Sequence, residues 1–306
     1  MNIISLQIEI FILIFVGYVL SKFQVIDIRL RKGLSNLVLK VVLPASIIQS
    51  FELEMTFEIL VSCIWVLIAS VLIQLLYAFC NLFLWKKQNN PDHRICLQYA
   101  TMVSNAGFMG MPIAQAAFGA QGLLYSSIFL IPQRIAMWSV GLSLFSKKTS
   151  KKELISKVLF HPCIVALGIG VLLMLAEMHG FQMSESIDRS LAAIGGCSTA
   201  LSMIVIGSIL SEVHFSEFLD QTSLWYSAIR TIILPLIILI GCQMVGFSGL
   251  GMAVCVLESA MPAPSTVVML AEGYDRTPLF ASRLVFVSTI FSLITLPVWM
   301  VFLSGF

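Results

Sequence analysis

Two charged residues, Arg134 and Glu258, interrupt apolar stretches long enough to form membrane-spanning helices. A charge at the centre of a bilayer costs at least about 2.5–3.5 kcal/mol, so it needs a specific reason to be there. We interpret Arg134 as a source of positive potential beside an anion path. Burial favours the neutral form of Glu258, which suits a group that takes up a proton or pairs with a cation. The alternative is a structural pair between Glu258 and a basic residue that holds two helices together.

Two of the apolar stretches also contain residues that interrupt α-helices. The first has Asn105, Gly107, Gly110 and Pro112, and the second has Pro262, Pro264, Ser265 and Thr266. Proline lacks a backbone N–H, and glycine adds backbone freedom. Two broken helices at matching depths would leave amides and carbonyls free near the middle of the membrane, with positive half-helix ends facing an anion. These residues therefore predict a substrate-binding centre, with Pro44 where a central cavity begins. The alternative is a pair of ordinary kinks with small residues for close helix packing.

The elements that would position these residues are membrane helices. The 306 residues are 58% hydrophobic and only 11% charged, whereas soluble chains carry about 25% charged residues. This composition excludes a nucleic-acid binder and a secreted disulfide scaffold. Each span must be a helix, because lipid offers no partner to backbone polar groups. We predict an all-α polytopic protein with ten spans, near 3–21, 34–51, 57–84, 95–118, 122–146, 160–178, 187–210, 223–246, 250–270 and 279–304.

Basic residues predict the orientation of these spans, because short cytoplasmic loops accumulate lysine and arginine. Most of them fall in the odd-numbered loops, which predicts that both termini lie on the non-cytoplasmic side. The acidic seventh loop is cytoplasmic by this count and yet contains no basic residue. Lys40, Arg230 and Arg283 fall within spans, near their predicted cytoplasmic ends. Their long side chains are expected to reach the interface.

The most basic loop divides the chain into two halves of five spans each. Residues 1–146 form the first half, residues 147–157 a basic cytoplasmic linker, and residues 158–306 the second half. An odd number of spans per half requires the second half to run in the opposite direction across the membrane. Inverted repeats of this kind are typical of secondary transporters, and the two predicted breaks fall in the fourth and ninth spans.

The order of several short motifs resembles the auxin efflux carrier family of permeases, whose bacterial members include malate and malonate permease-like proteins. The resemblance covers essentially the whole chain and rests on 43–45, 105–112, 118–119, 161–162, 261–262, 270–274 and 288–297. It implies two inverted five-helix repeats with crossover helices at the fourth and ninth spans, and an elevator-like division into scaffold and transport parts. It also implies a carrier of small organic anions in which Asn105 contacts a substrate carboxylate. A homodimer is plausible by the same resemblance.

The leading functional prediction is a secondary transporter of a small organic anion in the plasma membrane, with protons as the first candidate for coupling and without a cofactor. Sodium coupling is the alternative, because unwound carbonyls and the hydroxyls of Ser104, Ser265 and Thr266 offer oxygen ligands. No nucleotide-binding glycine loop, HExxH metal motif or Gly-x-Ser-x-Gly nucleophile motif occurs in the sequence, which argues against ATP drive and against an enzyme. A sensor built on a transporter fold is the third class.

Overall fold

The computed structural model describes residues 3–51, 56–145, 155–156, 158–177, 179, 181, 183–211 and 220–305. Within these ranges the chain forms helices joined by turns, and no residue is in a β-strand. Most of the predicted basic linker lies outside the described residues. The same is true of the acidic seventh loop up to residue 219.

The main α-helices of the described residues follow one another along the chain. The first seven are α1 (Ile3–Lys22), α2 (Ile28–Leu37), α3 (Leu43–Gln49), α4 (Phe57–Asn81), α5 (Pro91–Met102), α6 (Met111–Ala136) and α7 (Leu142–Phe145). The next eight are α8 (Pro162–Glu177), α9 (Glu185–Gly196), α10 (Ser198–Leu210), α11 (Gln221–Ala228), α12 (Leu234–Met244), α13 (Gly249–Ser259), α14 (Thr266–Gly273) and α15 (Pro278–Leu303). Among the described residues, four π-helical stretches continue the helical path, at Val38–Val42, Ala106–Gly110, Met137–Gly141 and Ile229–Ile233.

Several helices begin at polar residues that satisfy the first free backbone amides. The Asn90 Oδ1 accepts hydrogen bonds from the amides of Asp92 and His93, at 2.9 and 3.3 Å, and Pro91 starts α5. Asp27 caps α2 and Asp220 caps α11 in the same way. Such caps explain why helices start here, because the first turn of a helix has no intrahelical acceptor for its N–H groups.

Six helical segments in the described part of the chain are long and apolar enough to cross a membrane. They are Ser5–Lys22, Phe57–Asn81, Pro91–Phe145, Glu185–Leu210, Gln221–Met244 and Pro278–Leu303. Two shorter apolar helices, Pro162–Ala176 and Gly249–Ser259, fall below that length. The protein is therefore a polytopic helical membrane protein. The prediction of ten spans goes beyond these six, since it divides Pro91–Phe145 into two spans on either side of Gly119, whose backbone is not helical, and also counts stretches near 34–51, 160–178 and 250–270.

Both predicted helix breaks are present, but the first one lies earlier in the chain than its glycines and proline indicated. Helix α5 ends at Met102, residues 103–105 are not helical, and the path then continues through the π-helical stretch into α6. Pro112 lies in the first turn of α6, where its missing N–H is tolerated. Gly107 and Gly110 lie in the π-helical stretch, so the α-helix is interrupted around both glycines although the path stays helical, whereas Pro112 does not interrupt it. The second break, 260–265, contains Pro262 and Pro264 as predicted.

The chain divides into two compact units that do not follow the sequence order. Unit 1 comprises Met1–Val61, Met111–Ser127 and Leu159–Val213, and unit 2 comprises Ser62–Gly110, Ile128–Val158 and His214–Phe306. Within unit 1, α1 packs along α10, and α3 packs against α8 and α9. Within unit 2, α15 packs against α11 and α14, and α12 packs against α13. Both helix breaks belong to unit 2.

Unit 1 contains a very close contact between two helix backbones. A Cβ atom added at Gly207 would lie 2.8 Å from the carbonyl carbon of Ile14 and 2.9 Å from the amide nitrogen of Tyr18. A Cβ added at Gly17 would lie 2.7 Å from the Ile204 carbonyl carbon. Only glycine fits at both positions, so α1 and α10 meet through their main chains, as small residues allow in membrane helices.

Candidate functional site

The two helix breaks meet within unit 2. The backbone N–H of Asn105 donates a hydrogen bond of 2.8 Å to the carbonyl of Pro262. Helix α13 also contacts the π-helical stretch Ala106–Gly110 that follows the first break. Helical structure resumes at Ala106 on one side and at Thr266 on the other. Two half-helices therefore start near a shared centre, and the positive ends of their dipoles face it.

Arg134 and Glu258 both lie against the π-helical stretch between the first break and α6. A Cβ added at Gly107 would lie 3.4 Å from the Nη2 of Arg134. A Cβ added at Gly110 would lie 2.8 Å from the Cδ of Glu258 and closer still to its Oε2. Both charged side chains are buried, and both have interaction partners in the structure. The glycines thus leave room for two opposite charges about one turn apart along the stretch.

Polar side chains from neighbouring helices satisfy the backbone of the first break. Gln133 donates to the Ser104 carbonyl at 3.0 Å and accepts from the Ser104 hydroxyl at 3.0 Å. Gln74 of α4 donates to the carbonyl of Met102 at 3.1 Å. Unwound backbone in a membrane requires such partners, because lipid provides none. Gln133 and Gln74 were not among the predicted site residues, although an amide side chain inside an apolar span is a signal that could have identified them.

The second break is held in a similar way by α15. The Ala263 N–H donates to the Ser288 hydroxyl at 3.0 Å, and both residues are buried. At the end of the second break, the Tyr99 hydroxyl of α5 donates to the Thr266 hydroxyl at 2.9 Å. Tyr99 is buried, so this bond joins α5 to the start of α14 inside the packed part of unit 2.

Arg230 is buried beside both breaks, and the expectation that its side chain reaches the interface is wrong. It is 1% exposed, and its Nε and Nη1 donate to the carbonyls of Met261 and Thr101, each at 3.1 Å. Its guanidinium carbon also lies 4.7 Å from the ring centroid of Tyr77. Lys40 is exposed and Arg283 is half-buried 3.5 Å from Asp220, so Arg230 differs from both. The reason is non-local: three other segments, which contribute Tyr77, Thr101 and Met261, contact it.

Most of the predicted site residues belong to this centre in unit 2. Asn105, Gly107, Gly110, Pro262, Pro264, Ser265 and Thr266 lie on the two breaks or the helical turns beside them, with Arg134 and Glu258 against one of those turns. Among these, Ser265 is exposed, and Asn105 and Thr266 are half-buried, so their polar groups are the accessible ones. Pro44 and Pro112 belong to unit 1, where the Pro112 carbonyl accepts a bond from Thr199 at 3.1 Å.

The described residues contain no group of three or more histidine, cysteine, aspartate or glutamate side chains that could hold a metal ion. The polar atoms at the breaks are carbonyls, amides, hydroxyls and the two charged side chains. Such a centre, built from interrupted helices inside a polytopic membrane protein, defines the class of membrane transport proteins.

Comparison with known proteins agrees with this class. The sequence pattern of a family described as membrane transport protein matches residues 2–157 and 150–300. The chain therefore belongs to that family, the auxin efflux carrier family, and the predicted resemblance is confirmed. An uncharacterized transporter of Methanothermobacter thermautotrophicus is 25% identical over 301 residues, 96% of each chain. The uncharacterized transporter MJ1031 of Methanocaldococcus jannaschii is 23% identical over 300 residues, 94% of each chain.

Proposed function

We propose that the protein is a secondary transporter of a small organic anion, such as a mono- or dicarboxylate or an auxin-like acid. The observation that carries this proposal is the hydrogen bond between the Asn105 amide and the Pro262 carbonyl, which joins two interrupted helices in unit 2. The half-buried Asn105 side chain lies where the helical path resumes. A carboxylate there would meet positive half-helix ends and an amide donor.

The charges beside the centre support an anionic substrate and a role for protons. Arg134 adds positive potential next to Gly107, and Gly107 lies two residues after Asn105. Glu258 is 0% exposed and lies against Gly110. A buried carboxyl group at this position is a candidate carrier for a proton, because it lies beside the helix breaks and opposite a positive charge. We propose that Glu258 links substrate movement to protons, with Arg134 holding the substrate charge.

The architecture that fits this function is ten spans arranged as two inverted five-helix repeats, with broken fourth and ninth spans. Three of the additional spans would be short or broken helices, and the fourth would come from dividing the long segment Pro91–Phe145 into two. Unit 1 would act as the scaffold and unit 2 as the moving part of an elevator-type cycle. Both termini would lie on the non-cytoplasmic side of the plasma membrane, and a homodimer would form through the scaffold. The half-helix design at the breaks supports alternating access.

Ligand binding is the first test of the proposal. The melting temperature of the purified protein would be measured with a series of mono- and dicarboxylates and indole acids, since a ligand that binds only the folded state raises it. We expect a dose-dependent increase with at least one carboxylate. The Asn105→Ala variant should lose that increase while it inserts and purifies normally. Asn36→Ala, on the exposed face of α2, is the matched control and should retain it. An unchanged response in Asn105→Ala would remove this residue from the site.

Counterflow in proteoliposomes then separates a carrier from a sensor. A carrier loaded with unlabelled carboxylate accumulates labelled carboxylate, whereas a sensor only binds it. Glu258→Gln should abolish proton-driven uptake but leave this exchange intact. Loss of exchange and of folded protein together would instead identify Glu258 as a structural residue.

A further inference from the structure

The surroundings of Arg230 have the chemistry of a cation-binding site. Thr101 lies in the last turn of α5, and Met261 follows the end of α13 by two residues. The carbonyl end of a helix carries partial negative charge, so both hydrogen-bond acceptors of Arg230 belong to negative helix ends. The face of the Tyr77 ring, 4.7 Å from the guanidinium carbon, adds a third negative surface.

Other carbonyls near the two breaks are also occupied by donors from the protein. The Ala100 carbonyl accepts from the Tyr226 hydroxyl at 2.9 Å. Those of Met102, Ser104 and Pro262 accept from Gln74, Gln133 and the Asn105 amide, as described above. An inorganic cation bound here would need these same oxygens, because unwound carbonyls and helix carbonyl ends are its usual ligands in transporters.

We infer that Arg230 is a built-in cation: its guanidinium occupies a cation site formed by the carbonyl ends of α5 and α13 and the face of Tyr77. Two consequences follow. The wild-type protein has no need of Na⁺ at this site, because a charge that cannot dissociate already neutralises both helix ends. A neutral, shorter side chain at position 230 opens the site to a small inorganic cation. Arg230 acts here as a positioning residue, since it holds the two half-helices in register and touches no reacting atom.

The meaning of this inference for the transport cycle rests on the proposed function, but its test needs no substrate. The melting temperature of the purified full-length protein would be compared in sodium chloride and in choline chloride at equal ionic strength. The variants are Arg230→Gln, Arg230→Lys and, as the matched control, Arg94→Gln. Arg94 lies near the start of α5, the helix whose other end Arg230 contacts.

We expect Arg230→Gln to melt lower than wild type in choline and to recover by at least about 2 °C, saturably, as Na⁺ replaces choline. Wild type, Arg230→Lys and Arg94→Gln should melt at the same temperature in both salts. A saturable Na⁺ effect in wild type would overturn the inference, as would equal melting of Arg230→Gln in the two salts. If Arg230→Gln does not fold, the wild-type titration still decides: a Na⁺ effect refutes the inference, and its absence supports it. Failure here leaves carboxylate binding untouched, so the two proposals fail separately.

Discussion

Both compact units contain hydrogen bonds from side chains to the backbone of other segments, such as Ser46 to the Gly195 carbonyl in unit 1, but their tightest contacts differ. In unit 1, α1 and α10 meet through main-chain atoms at Gly17 and Gly207, where no side chain fits. In unit 2, the helix breaks are bridged by side chains such as Gln133, Ser288 and Arg230. Intact helices have no free backbone groups to satisfy and can rely on close packing, whereas broken helices require polar partners. The side chains of Gln133 and Arg230, which donate to carbonyls of other segments, therefore mark the interrupted backbone in unit 2.

The backbone contact in unit 1 should be the most sensitive to substitution. Gly207→Ala places a methyl group against the Ile14 carbonyl, and only movement of a whole helix can relieve that contact. We expect a loss of about 3 kcal/mol in the free energy of unfolding, measured by denaturant titration of the purified protein. Gly168→Ala on α8 is the control, because a Cβ there meets nothing within 4 Å. That variant should be unchanged or more stable by about 0.5–1 kcal/mol. Equal stabilities of the two variants would contradict a main-chain contact at Gly207.

The glycine beside Glu258 should be less sensitive, because a side chain rather than a backbone must move. We expect Gly110→Ala to lose about 2 kcal/mol of unfolding free energy, since the added methyl displaces a buried carboxyl group. The loss should shrink in the Glu258→Ala background, and a double-mutant cycle measures this coupling. Gly241→Ala on α12, where a Cβ meets nothing, is the control. Additive effects of Gly110→Ala and Glu258→Ala would show that the two residues do not share this contact.

A smaller effect is expected from one of the side chains that satisfy the second break. Ser288→Ala leaves the buried Ala263 N–H without its acceptor, which should cost about 1.5 kcal/mol of unfolding free energy. Ser292→Ala on the same helix is the matched control, because that hydroxyl donates to the Thr289 carbonyl of its own helix. Melting of both variants under identical conditions would test the difference. A loss in Ser292→Ala as large as in Ser288→Ala would mean that the effect is not specific to the break.

The smallest effect should come from the hydroxyl pair at the start of α14. Tyr99→Phe removes the bond to Thr266, which is half-buried, so we expect a loss of only about 0.5 kcal/mol. Thr266→Val should cost a similar amount, and the double variant little more than either single one. Fully additive losses, measured by denaturant titration, would exclude a shared hydrogen bond.

The sequence predicted the features that depend on local chemistry. Pro262 and Pro264 indicated the second break, and the apolar surroundings of Arg134 and Glu258 indicated their burial. The first break lies earlier in the chain than predicted. Pro112 is in the first turn of a helix, where a proline does not interrupt the helix. The burial of Arg230 could not be predicted from its distance to the end of its span. It depends on three other segments, which only the packed structure brings together.

The burial of Arg230 also has a consequence for the synthesis of the protein. Chains enter the membrane from the N-terminus, so α4 and α5 are present before the segment Gln221–Met244 that carries this charge. Tyr77 and the Thr101 carbonyl are therefore available to contact the guanidinium as its helix enters the membrane. Its third partner, the Met261 carbonyl, follows 31 residues later in the chain. A truncated chain that lacks α4 and α5 would present this segment to lipid with an unshielded charge. The order of the helices along the chain thus allows its most deeply buried arginine to be inserted.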